Sequence, residues 1–182
     1  MTATLWEDDA DPSGWLMSEK YDGVRLFWDG SAFFTRQGRK ITLPQSITAQ
    51  MPRFPLDGEL WTKYGLYQEA VLLCKSSEHE NWKNAVFWVF DTIRNEGYQD
   101  RVHFLQQQQF PSFIKLVNYV HCKGKEHLKE FFNSIVAKGG EGVVLREPNS
   151  LYKGGRSSSL KKYKVKRSSF ICINERNILM RK

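Results

Sequence analysis

Repeatedly along this chain an acidic residue adjoins a glycine inside or at the mouth of an apolar run. Asp22-Gly23 lies between Trp15-Leu16-Met17 and Leu26-Phe27-Trp28, Asp57-Gly58-Glu59 interrupts Phe54–Trp61, and Glu141-Gly142 opens Val143-Val144-Leu145. Apolar-aromatic runs of this length read as short strands. A carboxylate is tolerated there only near a strand end or beside a cation, and glycine lets the backbone approach another segment where a Cβ would collide. Such a chain folds around sheets whose strand ends gather the polar chemistry.

The first stretch adds a lysine. In Ser18-Glu19-Lys20-Tyr21-Asp22-Gly23-Val24-Arg25, alternation predicts a strand running into a tight turn at Lys20, then a second strand. Partly apolar surroundings hydrate an ammonium poorly and favour the neutral amine, which makes Lys20 a candidate nucleophile. A solvated lysine in an Asp-Gly hairpin is the plainer alternative. A hairpin at Asp29-Gly30 leads to Thr35-Arg36-Gln37-Gly38, where the Arg36 fork suits phosphate oxygens or simply solvent. Period-two alternation puts Asp57 and Glu59 on one strand face, where they either call for a lysine, an arginine or a metal or face solvent as an acidic pair on an edge strand.

Further along, Pro44 and Pro52 break a weak helix over 42–52, and Leu66–Cys74 is helical. Phe87-Trp88-Val89-Phe90 reads as a strand buried on both faces, ending at Asp91, whose last aromatic could stack on a purine base. Residues 98–109 are helical and Ile114–Tyr119 forms a strand. Lys125–Lys138 carries Leu128, Phe131, Phe132, Ile135 and Val136 at helical spacing and stops at Gly139-Gly140. From Lys153 to Arg167 there are seven basic residues and no acid. Alternation places Lys162, Lys164 and Lys166 on one side of a strand continuing into Phe170–Ile173. Paired lysines can hold a polyanion and, by like-charge repulsion, favour the neutral form of a third.

The formal charge of +7 points to an anionic partner, nucleic acid before membrane. Cys74, Cys122 and Cys172 form no C-x-x-C pair, and the four histidines show no metal-ligand spacing, so a zinc site is excluded and a reducing, intracellular setting (nucleus or cytoplasm) is expected. The acidic start, with Glu7, Asp8, Asp9 and Asp11, does not follow a signal-peptide plan.

The ordered set Lys20-Tyr-Asp-Gly-Val-Arg25, Thr35-Arg-Gln-Gly38, Asp57-Gly-Glu59, Phe90-Asp91, Glu141-Gly142 and Lys162-Tyr-Lys164 resembles the nucleotidyltransferase (adenylation) domain of ATP-dependent DNA ligases. That domain belongs to a covalent nucleotidyltransferase superfamily that also holds RNA ligases and capping guanylyltransferases. The resemblance covers about residues 15–173. It implies an α+β fold, an ATP-grasp-like domain of largely antiparallel sheets flanked by helices, with a loose arm over 1–14 and a tail or linker stub over 174–182.

By the same resemblance, Lys20 attacks the α-phosphorus of ATP to give a lysine–AMP, with Lys162 and Lys164 on the α-phosphate. Glu19, Arg25, Glu59, Phe90 and Glu141 complete the ATP site, Glu59 on the ribose and Phe90 on the adenine. Arg25 and Arg36 take the 5′-phosphate of a nick, and Glu141, with Asp22 and Asp57, holds Mg²⁺ or Mn²⁺. The implied partner is nicked duplex DNA, with RNA ligation or a ligase-like binding module as alternatives, and a monomer is expected. Family ligases continue into an OB-fold domain. Eighteen residues follow Lys164, too few for that barrel, so the OB-fold is expected to be absent, and the chain to be a fragment, to draw that part from a protein partner, or to have lost full activity.

Overall fold

The computed structural model describes residues 1–7 and 9–164. Its strands, in chain order, are β1 (Thr2–Leu5), β2 (Leu16–Lys20), β3 (Val24–Trp28), β4 (Phe33–Thr35), β5 (Lys40–Ile41), β6 (Leu56–Trp61), β7 (Val86–Asp91), β8 (Ile114–Leu116), β9 (Tyr119–His121), β10 (Gly142–Arg146) and β11 (Arg156–Lys164). The helices are α1 (Gln45–Thr48), α2 (Tyr67–Leu73), α3 (Tyr98–Gln106) and α4 (Lys125–Val136), with a 3-10 turn at Glu80–Asn84.

Strand alternation sorts each strand into a helix-covered face and an open one. One sheet runs β1-β11-β10-β2-β9 and the other β5-β4-β3-β6-β7-β8. Pairing is antiparallel except for β1 with β11 and β7 with β8. On the first sheet, Met17, Val143 and Leu145 are fully buried against Leu128 and Ile135 of α4. On the second, Leu26, Leu56, Leu60, Phe87 and Val89 pack with Leu73 of α2 and Leu105 of α3. Each such side chain contributes roughly 1.5–3 kcal/mol by leaving water. The opposite faces, carrying Lys20, Val144 and Lys162 on one sheet and Arg25, Glu59 and Phe90 on the other, line a shared cleft. Helix α4 ends as expected: the Gly139 and Gly140 amides donate to the Val136 and Ile135 carbonyls at 2.9 and 3.0 Å, with Gly139 at φ 88°.

Several expectations are corrected. The arm over 1–14 is not loose, because Thr2–Leu5 forms edge strand β1 and Met1 is buried. Lys20 does not sit in a hairpin: β2 and β3 belong to different sheets, so the chain crosses the cleft at Tyr21–Gly23. Strand β7 buries Phe87, Val89 and Asp91 but leaves Trp88 and Phe90 partly open, as the helices cover one face of the sheet only. Ile114–Tyr119 splits into β8 and β9, one in each sheet. Val136 is exposed, and helix α3 ends at Gln106. Lys166, the strand over 170–173 and the tail over 174–182 lie outside the described residues.

Candidate active site

The site is organised by strand register. Gly142 of β10 lies opposite Lys20 of β2 on one side and Lys164 of β11 on the other, and Val144 likewise lies between Ser18 and Lys162. Two rows thus cross three neighbouring strands about 4.8 Å apart, bringing residues more than a hundred positions apart within reach of one phosphate. Gly142 has no side chain between the two lysines. A Cβ there would meet Lys164 Cα at 2.8 Å and Lys164 Cβ at 3.1 Å. Glu141, just before it, accepts from Lys20 Nζ through Oε2 and has Oε1 3.8 Å from Lys164 Nζ. Lys162 is the lysine whose pKa is lowered, by desolvation first and then by the charges of Lys164 and Lys20.

The opposite wall follows the same logic. Arg25, Glu59 and Trp88 stand side by side on β3, β6 and β7. Gly23 passes so close to the Leu60 carbonyl that a Cβ would collide with it. Arg25 is the cation that the acidic pair required: its Nε donates to Asp57 Oδ1 at 2.9 Å and its Nη2 to Asp57 Oδ2 at 2.5 Å, while Nη1 donates to the Met1 carbonyl. Its Cζ lies 5.4 Å from the Phe90 ring centroid. Glu59 is pushed up to about 7, since desolvation outweighs the attraction of Lys20 and Arg25.

Two cavities meet at Lys20. One, of about 250 Å³, is lined by Lys20, Arg25, Glu59, Phe90, Val144 and Lys162, with Glu19 and Arg36 also on its wall. The other, of about 440 Å³, is lined by Lys20, Asp22, Trp61, Tyr64, Glu141 and Lys164. Of the three acids expected to serve a metal, the structure brings Asp22 and Glu141 to this second cavity. Asp57 is apart from them and fully engaged, by Arg25 and by the Tyr152 hydroxyl at 2.8 Å. Among the described residues no group of three or more metal-ligating side chains occurs. Two carboxylates facing an open, cation-lined space still fit Mg²⁺, which keeps most of its shell as water and substrate oxygens. Arg36 is exposed on the rim and forms no ion pair among the described residues.

Sequence reasoning missed Arg146, Tyr98 and Tyr152. Arg146, at the far end of β10, is 3% exposed, bonds Asp91, and lies 4.2 Å from the Tyr98 ring centroid. It lines the smaller cavity, and its buried Nε has no partner among the described residues. Its signal was its place two residues from Val144 on the face that β10 shares with Lys162.

Two facing sheets, each backed by helices, place an amine at the junction of two cation-lined cavities, the class of site that can hold a polyanion against a nucleophile. Sequence comparison narrows the class. The family profile described as ATP dependent DNA ligase domain matches residues 8–166, and the chain belongs to that family. A DNA ligase of Haemophilus influenzae is 34% identical over 160 residues, which is 85% of this chain and 59% of that protein, so the chain spans about three-fifths of this relative. A solved Lig E DNA ligase, described as binding DNA with a minimal scaffold, superposes with a TM-score of 0.83 at 28% identity, covering 90% of this chain and 67% of that one. Chlorella virus DNA ligase-adenylate shares the fold, with a TM-score of 0.73 at 23% identity over 89% of this chain and 65% of that one.

Proposed function

We propose that this chain is the catalytic domain of an ATP-dependent DNA ligase that carries AMP on Lys20 and passes it to the 5′-phosphate of a nick, acting inside the cell. The observation that carries this reading is the placement of Lys20 at the junction of two cavities, with Glu141, Lys162 and Lys164 around its amine.

In the first step, the Lys20 Nζ lone pair attacks the α-phosphorus, the P–N bond forms, and the P–O bond to pyrophosphate breaks. Glu141 already accepts a hydrogen bond from Nζ and is placed to take the proton that the ammonium sheds. Lys162 and Lys164, one on each side of the cavity junction, neutralise charge that spreads over the phosphoryl oxygens; nucleotidyl transfer needs this alignment more than acid–base help. Glu59 accepts from the ribose hydroxyls, Phe90 flanks the adenine, and the unpartnered Arg146 Nε supplies a donor at the base end. Asp22 and Glu141 would hold Mg²⁺, which when bound would supply further charge neutralisation. Arg36 is placed on the rim for the 5′-phosphate of the broken strand. Arg25 acts behind it, since its three guanidinium nitrogens bond Asp57 and Met1. A 5′-phosphate oxygen then attacks the phosphorus of the lysine–AMP, the P–N bond breaks, and the Lys20 amine leaves and takes back a proton; the 3′-hydroxyl, giving up its proton, attacks the 5′-phosphorus so activated, AMP leaves, and the phosphodiester closes.

Incubation with α-labelled ATP and Mg²⁺ tests the reading. An acid-labile label that appears on the chain and vanishes in Lys20→Ala is the expected result, followed by its transfer to nicked DNA in preference to nicked RNA. A label that persists in Lys20→Ala, or none in the wild type, overturns it.

A further inference from the structure

Away from the cleft, on the outer edge of the second sheet, lies a groove of about 540 Å³ between β5 and the segment that follows α2. Arg39, Lys40 and Lys75 line it, with Ser76 and Ser77 beside them and Glu78 as its one carboxylate. The three cations are exposed, and among the described residues none has a carboxylate within ion-pair reach. Neither side of the groove is free to drift. The hairpin tip is fixed by Thr35 N to the Arg39 carbonyl at 2.8 Å, Gly38 N to the Thr35 carbonyl at 2.9 Å, and Arg39 N to Thr35 Oγ1 at 3.1 Å. Across from it, buried Trp82 donates from Nε1 to the Ser76 carbonyl at 2.9 Å, and the Lys75 amide bonds the Leu72 carbonyl at 2.9 Å.

We infer that this groove holds the sugar-phosphate backbone of duplex DNA on the 5′-phosphate side of the nick. The inference rests on the ligase reading, which places Arg36 at the nick phosphate. Arg39 follows Arg36 by three residues, a reach of at most about 11 Å. Measured along the duplex axis, at about 3.4 Å per base pair, that puts the groove within about three steps of the nick. Cations from two separate elements converge on the groove, and hydroxyls beside them supply neutral donors for phosphate oxygens. The protein meets only backbone here, so the groove adds affinity and register without sequence preference.

The test uses the full chain and a nicked duplex with a 3′-deoxy terminus that cannot be sealed, read by fluorescence anisotropy across a salt series. Combined Arg39→Gln, Lys40→Gln and Lys75→Gln is expected to weaken binding tenfold or more. The slope of log K against log salt should fall by about two to three, near 0.9 for each phosphate that the variant no longer neutralises. Labelling by ATP is expected to be unchanged. Replacing the phosphates within about four steps of the nick on the 5′-phosphate strand by uncharged methylphosphonates, the nick phosphate itself excepted, is expected to weaken the wild type toward the variant and leave the variant nearly unmoved. An unchanged slope with labelling and sealing intact overturns the groove assignment alone and would leave the groove to an anionic protein instead. A weakening that follows such replacement on the other side of the nick instead overturns it as well. A wild type that takes no label overturns the parent reading, whatever the slope.

Discussion

Lys20 and Lys164 face the same residue, Gly142, from opposite sides, on the two strands that flank β10. Glu141 bridges their amines, so the spacing of the two cations is set by a position with no side chain. Gly142→Ala would drive a methyl into Lys164 and the Tyr163 carbonyl, at φ 154°, where side chains are disfavoured. A loss of about 1–3 kcal/mol in urea unfolding is expected. A fall of tenfold or more in Lys20 labelling should accompany it even at temperatures where the variant is fully folded. Full labelling by the folded variant would show that the row does not set the reactive geometry.

Asp57 is bound into the architecture of the cleft wall. It is 2% exposed and receives two bonds from Arg25 and one from Tyr152. Removing one partner of a buried ion pair costs about 3–5 kcal/mol. Arg25→Met is therefore expected to lower stability by something near that range, and Asp57→Asn by less, since the amide still accepts a bond. The Mg²⁺ concentration for half-maximal labelling should stay unchanged in Asp57→Asn and rise in Asp22→Asn. A shift in Asp57→Asn alone would return the metal role to it.

The proposed contact of Glu59 with ATP is expected to make ATP binding depend on pH near neutrality. Its carboxyl is raised to about 7 in the folded chain against an ordinary 4.5. Between those values the folded state holds a proton that the unfolded chain has lost, so this group's stabilising effect is full below about 4.5 and fades as pH rises to about 7. The whole effect is about 3 kcal/mol at most. The ionised form is the better acceptor for ribose hydroxyls, so KM for ATP is expected to fall between pH 6 and 8. Glu59→Gln should flatten both the urea midpoint across pH 4.5–7 and the KM profile. A Gln variant that keeps the wild-type profiles would remove Glu59 from both roles.

What was legible in the sequence, and what was hidden, divides along the range of the interaction. Local patterns suffice for β2, β3, β6, β10 and α4, because period two or three-to-four is written in adjacent residues. The need of Asp57 and Glu59 for a cation was also legible, and Arg25 meets it. Sheet membership was not. Alternation in β2 and β3 is the same whether they pair with each other or with strands a hundred residues away, and only long-range packing decides. Strand β1 is the extreme case, four residues whose partner is β11 near the other end of the described chain. Arg146 was hidden for a different reason. An arginine at a strand end reads as solvated, and only a buried carboxylate from the other sheet makes its burial tolerable.

That carboxylate, Asp91, ties the two sheets together beneath the base end of the smaller cavity. Arg101 donates to it from Nε at 2.7 Å and Nη2 at 3.1 Å, Arg146 donates from Nη1, and Asp91 and Arg101 are fully buried. One residue earlier, the Phe90 carbonyl accepts from the Tyr119 and Tyr98 hydroxyls at 2.6 and 3.1 Å. The aromatic proposed to flank adenine is thus anchored through its own backbone and through its neighbour's side chain. Arg101→Met leaves Asp91 short of two bonds and strands the Glu96 and Ser150 carbonyls that Arg101 Nη1 serves. A loss of about 3–5 kcal/mol is expected. Arg146→Lys keeps a charge for Asp91 but removes the unpartnered Nε, so a smaller loss, about 1–2 kcal/mol, is expected together with a KM for ATP raised roughly tenfold. The two substitutions share one carboxylate and should be non-additive in stability by at least about 0.5 kcal/mol. Strict additivity would show that Asp91 does not couple them. An unchanged KM in Arg146→Lys would confine Arg146 to holding the sheets together.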